Sequence, residues 1–166
     1  MEKKKMIEAV AEGIKGELDG ITIYEEAASR SEGDVKSFFL DRAAEEKMHY
    51  NWLASYYQRL LGTDDNADEE ILPGKLPDKP SPIISEEFLE RIGSDRYLSA
   101  AISSSVLLEL SAIEHYRKNA ETATDSGVIE LFKRLAEWEM EHYEMLLKIQ
   151  EESRQNWYNA QSFEPF

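Results

Sequence analysis

The 166 residues contain no cysteine, which excludes a disulfide framework, a zinc knuckle, an iron–sulfur site, thiol catalysis and any CxxC redox unit. Positive charge is scarce: 19 Lys and Arg stand against 34 Asp and Glu, a formal net charge of −15. No nucleic-acid surface is expected, because phosphate binding needs Lys and Arg in excess on one face. Nothing approaches the roughly 18 continuous apolar residues of a membrane span. The opening Met1-Glu-Lys-Lys-Lys has the basic character of a signal peptide, but Glu8, Glu12, Lys15 and Glu17 break up the segment that would have to be its apolar region. The expectation is a soluble, cytoplasmic protein of one domain, long enough to bury a core without staples. Proline is confined as well, with four of five at positions 73, 77, 80 and 82.

What is present is helical periodicity. Met6, Val10, Ile14, Ile21, Tyr24 and Ala28 recur in steps of three and four and predict a helix over about 6–31. Asp34 suits an N-cap for a second helix, 34–61, carried by Val35, Phe39, Ala43, Leu53, Tyr57 and Leu60 and stopped at Gly62. Leu98, Ile102, Ser105, Ala112, Tyr116 and Ala120 mark a third over 95–123, and Val128, Phe132, Leu135, Leu146 and Ile149 a fourth over 126–153. Residues 62–94 read as a connection with at most a short helix over 85–92, and 154–166 as a tail carrying Trp157, Tyr158, Phe163 and Phe166. A connection of about 30 residues is uncommon inside a compact domain unless it has a task. Returning along a helix roughly 39 Å long is such a task and lies within its reach. The chain therefore reads as two antiparallel helix hairpins joined by one long crossover, with the second and third helices parallel.

Onto this frame one phrase is written twice. Glu17-x6-Tyr24 and Glu46-x-x-His49 recur as Glu109-x6-Tyr116 and Glu139-x-x-His142, at offsets of 92 and 93 residues. All six acidic and imidazole positions fall on the apolar stripes of their helices: Glu17 between Ile14 and Ile21, Glu46 and His49 between Ala43 and Leu53, Glu109 between Ser105 and Ala112, Glu139 and His142 between Leu135 and Leu146. A spacing of three puts Glu and His about 60° apart on adjacent turns, within reach of one ion, and a spacing of seven sets each Tyr above its Glu. Buried carboxylates without partners cost several kcal/mol each, so four facing one another call for cations. Four ionised Glu balance two divalent ions with both His neutral. A carboxylate from each of two helices and a Glu-x-x-His from each of the other two is the ligand set with which a four-helix bundle holds two metals. Tyr24 and Tyr116 are candidates for donating hydrogen bonds to ligand carboxylates. His115 reads as a partly exposed helix residue, and Glu25, Glu26, Glu45, Glu137 and Glu141 as solvated faces, Glu45 being the one that adjoins a ligand.

These motifs resemble those of the rubrerythrin-like branch of the ferritin-like diiron proteins, over roughly residues 6–153. The resemblance implies an all-α, ferritin-like four-helix bundle with two iron ions, Glu46 and Glu139 bridging them, Glu17 and His49 completing one, and Glu109 and His142 the other. It implies a non-haem diiron oxidoreductase reacting with oxygen or hydrogen peroxide, as a peroxide reductase or a ferroxidase, in oxidative-stress defence or iron handling, and commonly a homodimer. Two departures are visible. The cysteine-bearing rubredoxin domain of full rubrerythrins is not in these residues, so an external electron donor is expected. Ala112 stands where rubrerythrins carry an extra Glu one turn after Glu109, giving a more symmetrical ligand set.

The residues themselves leave rivals standing. Carboxylate and His sites also accept manganese or zinc, so metal storage or sensing without turnover fits the same ligands. A metal-free bundle whose acidic surface and aromatic tail serve a partner is the third reading. The tail itself reads either as packing on the bundle or as a docking segment.

Overall fold

A computed structural model describes residues 1–62, 82 and 84–161. The proline-rich stretch of the expected crossover and the aromatic residues Phe163 and Phe166 lie outside the described residues. The chain forms α1 (Lys3–Ser29), α2 (Gly33–Leu61), α3 (Glu86–Ser94), α4 (Arg96–Thr122) and α5 (Ser126–Ala160). Among the described residues there is no strand, and no helix is long and apolar enough to cross a membrane.

Local chemistry sets the helix ends. Asp95 caps α4 by accepting from the backbone N–H groups of Tyr97 and Leu98, Asp125 caps α5 through Val128, and Ser85 caps α3 through Phe88. Gly62 closes α2 in the left-handed conformation, φ +73°, which glycine adopts without a steric cost. Asp34, expected as the cap of α2, lies instead in its first turn; Glu32 holds the cap position and makes no side-chain cap bond.

Contacts along the helices give their directions. Residues 30–32 and 123–125 are short turns, so α1 and α2 form one antiparallel hairpin and α4 and α5 the other. Tyr24 reaches Glu109 while Tyr116 reaches Glu17, so α1 and α4 also run antiparallel. It follows that α2 and α4 are parallel, as the ferritin-like topology requires. α5 runs antiparallel to α2, pairing Glu45 with His142. The apolar core is split in two. One cluster gathers Phe38, Phe39, Ile102, Leu146 and Ile149 around Tyr24; the other gathers Val10, Leu53, Phe132 and Leu135 around Tyr116. A layer of buried polar groups separates them.

The largest departure from the sequence pattern is at the C-terminal end. α5 continues through Ala160 rather than stopping near Ser153, and Trp157 and Tyr158 are helical. The cause is α3, which crosses that extension: a Cβ on Gly93 would lie 2.6 Å from the Ser153 carbonyl oxygen. The absence of a side chain at Gly93 permits this approach, and burial of Phe88, Leu89 and Ile92 holds α3 against the bundle.

Candidate metal centre

All six predicted ligand positions are buried, none more than 4% exposed: Glu17, Glu46, His49, Glu109, Glu139 and His142. They converge as two groups. Glu17, Glu46, His49 and Glu139 form one, and Glu46, Glu109, Glu139 and His142 the other, with ligand atoms in each group within 4.8 Å of one another. Ligand bonds of about 2.0–2.2 Å allow such a group to close on a single ion. Glu46 and Glu139 belong to both groups, and each group draws on both hairpins.

Each imidazole turns Nδ1 toward the carboxylates. His49 Nδ1 lies 2.9 Å from Glu139, 3.5 Å from Glu17 and 3.6 Å from Glu46. His142 Nδ1 lies 3.2 Å from Glu139, 3.5 Å from Glu46 and 3.9 Å from Glu109. Three buried atoms here, Glu46 Oε1, Glu139 Oε1 and His49 Nδ1, have no hydrogen bond. Buried polar atoms are normally paired, and orphaned carboxylate oxygens beside an orphaned imidazole nitrogen are the donor set a divalent ion satisfies. The residues present fit a metal centre.

Electrostatics lead to the same place. Burial pushes Glu17 well above the usual carboxylate range, and neighbouring Glu139 and Glu46 push further. Glu109 is raised for the same reasons. Burial also acts on Glu46, yet close contact with Glu17, His142 and His49 holds it well below its ordinary value. In Glu139 burial and the charge of Glu46 are outweighed by the two imidazoles, which bring it down to about 2. Both imidazoles are raised well above 6.5: burial disfavours their charge, but the charge of Glu139 dominates at His49 and hydrogen bonds with Glu139, Glu45 and Glu46 dominate at His142. Glu17 and Glu109 are therefore biased toward holding a proton, and Glu46 and Glu139 toward ionisation opposite two imidazoles biased toward the charged form. Those biases let bound protons offset the carboxylate charge that divalent ions would otherwise balance.

Tyr24 donates to Glu109 Oε1 and Tyr116 to Glu17 Oε1, each tyrosine steering the carboxyl group of the opposite hairpin. Burial first, then the facing Glu, pushes both phenols well above 10, so they stay protonated donors. A cleft of about 250 Å³ between α1 and α4 reaches the layer from the surface, with Gly13 and Gly16 on one wall, Ala112 and His115 on the other, and the four glutamates below. His115 is a half-buried wall residue whose Nε2 meets the Ala9 carbonyl at 2.9 Å, and it stands apart from both groups.

Glu45 is not the solvated residue that its sequence position suggests. It is 6% exposed, accepts from Arg42 at 2.9 Å and lies 2.8 Å from His142 Nε2. The signal was Arg42-x-x-Glu45, an i,i+3 pair of opposite charges beside a ligand. Also outside the sequence reading were Trp52 and Trp138, whose rings lie against His49. Glu25, Glu26, Glu137 and Glu141 are exposed as expected.

No curated protein and no solved structure matches this chain. A family model described as Rubrerythrin matches residues 8–150, a span that holds the whole buried carboxylate and imidazole layer. The chain belongs to the rubrerythrin family.

Proposed function

We propose that the protein is a diiron oxidoreductase that uses oxygen or hydrogen peroxide as oxidant. The observation that carries this reading is the sharing of Glu46 and Glu139 between two four-residue groups, since carboxylates common to two positions bring two ions close enough to act on one small molecule. Glu46 and Glu139 would bridge, Glu17 with His49 would hold one ion, and Glu109 with His142 the other. Two bound irons would supply the two electrons that an oxygen–oxygen bond takes up when it breaks. Manganese and zinc suit the same ligand types, and the identity of the metal is part of the test.

The protein's own residues do the rest. Glu17 and Glu109 lie at the floor of the cleft, where their tyrosine partners hold them in place. The cleft has room for several molecules the size of water or peroxide, at about 30 Å³ each. The imidazoles, at 0% and 4% exposure, lie away from bulk solvent. The reading assigns reduction to an electron donor other than these 166 residues, none of which is a cysteine.

Metal analysis after anaerobic loading with ferrous iron is the first test, and about two ions per chain are expected. Addition of peroxide should then consume one peroxide for each pair of ferrous ions oxidised. Sustained oxidation of excess ferrous iron identifies a ferroxidase; oxidation of a supplied donor by peroxide identifies a peroxide reductase. Less than one ion per chain, or ions that remain ferrous under both oxidants, would overturn the proposal.

A further inference from the structure

The geometry points to an inequality between the two metal positions, imposed by residues outside the ligand set: Glu45, held by Arg42, orients His142 and makes the position of Glu46, Glu109, Glu139 and His142 the tighter one, which fills first. This deepens the two-ion reading above and rests on it.

In each Glu-x-x-His pair, the residue just before the Glu lies against the imidazole of the other pair. On α2 that residue is Glu45, whose Oε2 stands 2.8 Å from His142 Nε2 while its Oε1 accepts from Arg42 at 2.9 Å. On α5 it is Trp138, whose ring lies nearly parallel to that of His49 at 5.5 Å and 8°. Trp52 adds a second ring against His49 at 5.7 Å, and Leu135 occupies the place on α5 that Arg42 has on α2. The ligand set repeats faithfully, but its surroundings do not.

The difference matters because Nδ1 of both imidazoles faces the carboxylates. An ion takes the lone pair of Nδ1, and Nε2 must then keep its hydrogen. At His142 that hydrogen meets a carboxylate, which fixes the ring orientation before any ion arrives, holds the Nε2–H tautomer once the Nδ1 proton leaves, and makes Nδ1 a better donor. At His49, which is fully buried, Nε2 has no hydrogen-bond partner. A coordinated His49 keeps that N–H unpaired, whereas the N–H of a coordinated His142 has the Glu45 carboxylate to strengthen its ring as a ligand. Arg42 completes the arrangement: itself 7% exposed, it cancels the charge of Glu45, so Glu45 does not act as a fifth negative charge on the two-ion balance.

Anaerobic titration of the metal-free protein with cobalt(II), followed by calorimetry and by visible absorption, reads the two positions separately. Wild type is expected to take up two ions in two resolved steps. Glu45→Gln should weaken the first step by about 10- to 100-fold and leave the second in place, so that the steps merge; Trp138→Phe should leave the first step unchanged. If Glu45→Gln fails to fold, Arg42→Lys must give the same selective loss in smaller measure. A first step unmoved by these changes, or both steps weakened alike as a general lesion would produce, overturns the inference. So does uptake of two ions by wild type in one unresolved step, with the two-ion reading intact. Wild-type protein that takes up no cobalt, zinc or ferrous iron overturns both.

Discussion

Loading the metal-free protein with two divalent ions should expel protons, up to about four, because metal binding needs ionised carboxylates and neutral imidazoles where burial now favours protonated ones. Without metal, burial and neighbouring charges bias Glu17, Glu109, His49 and His142 toward holding a proton, and bias Glu46 and Glu139 toward ionisation. With metal, all four carboxylates and both Nδ1 lone pairs are needed. The four raised groups contribute stability at low pH that is lost as pH rises through their raised values, from above 4.5 for the carboxyls and above 6.5 for the imidazoles. Each proton so displaced corresponds to about 1.4 kcal/mol per pH unit. Glu46 and Glu139 act oppositely, and their contribution fades only as pH falls below 4.5 toward 2. Metal-free protein should therefore melt at lower temperature as pH rises above about 6.5, while metal affinity climbs. An ion present at a hundred times its dissociation constant contributes about 2.7 kcal/mol, or roughly 5–11 °C in Tm for a chain of this size. Calorimetric titration with zinc in buffers of differing ionisation enthalpy counts the protons directly. Release of fewer than about two protons for two ions bound, or a metal-induced Tm shift that does not grow with pH, would refute the reasoning.

Other consequences follow from single side chains. Glu46→Ala or Glu139→Ala should abolish binding of both ions, whereas Glu17→Ala should lose only one; metal content per chain measures this, and equal losses would contradict the shared geometry. Gly16→Phe should fill the cleft, since a Cβ there meets nothing within 4 Å, and should slow metal uptake and oxidation severalfold while stability holds or rises by up to about 1 kcal/mol from improved helix propensity; stopped-flow uptake is the check. Gly93→Ala should cost about 1–3 kcal/mol in urea unfolding, because the new Cβ meets the Ser153 carbonyl at 2.6 Å. A melt unchanged by this substitution would show that α3 does not depend on that crossing.

The ligand layer was legible because its signal is a repeat: the same face, four times, at fixed offsets. Glu45 escaped because α2 contacts both α1 and α5, so its buried arc includes Arg42 and Glu45 as well as Glu46 and His49, and a single stripe does not cover it. The end of α5 escaped for another reason. Glu151, Glu152, Arg154 and Gln155 interrupt the apolar pattern, and the partner that makes Ser153 a buried position is α3, a short helix after the proline-rich stretch whose docking no local periodicity announces. The cleft was invisible to periodicity altogether. Gly13 and Gly16 carry no hydrophobic signal, and Ile14 and Ile21, which define the stripe, are only half-buried beside them.

The crossing of the two tyrosines has a consequence for how the molecule comes together. Each phenol leaves its own hairpin to hold a carboxyl group of the other, and each four-residue group borrows one carboxylate from across the axis. Neither hairpin alone owns a finished half of the centre. Metal can be captured at full strength only after the halves have docked in register, so a chain that carries its ions has thereby passed its own inspection of tertiary assembly.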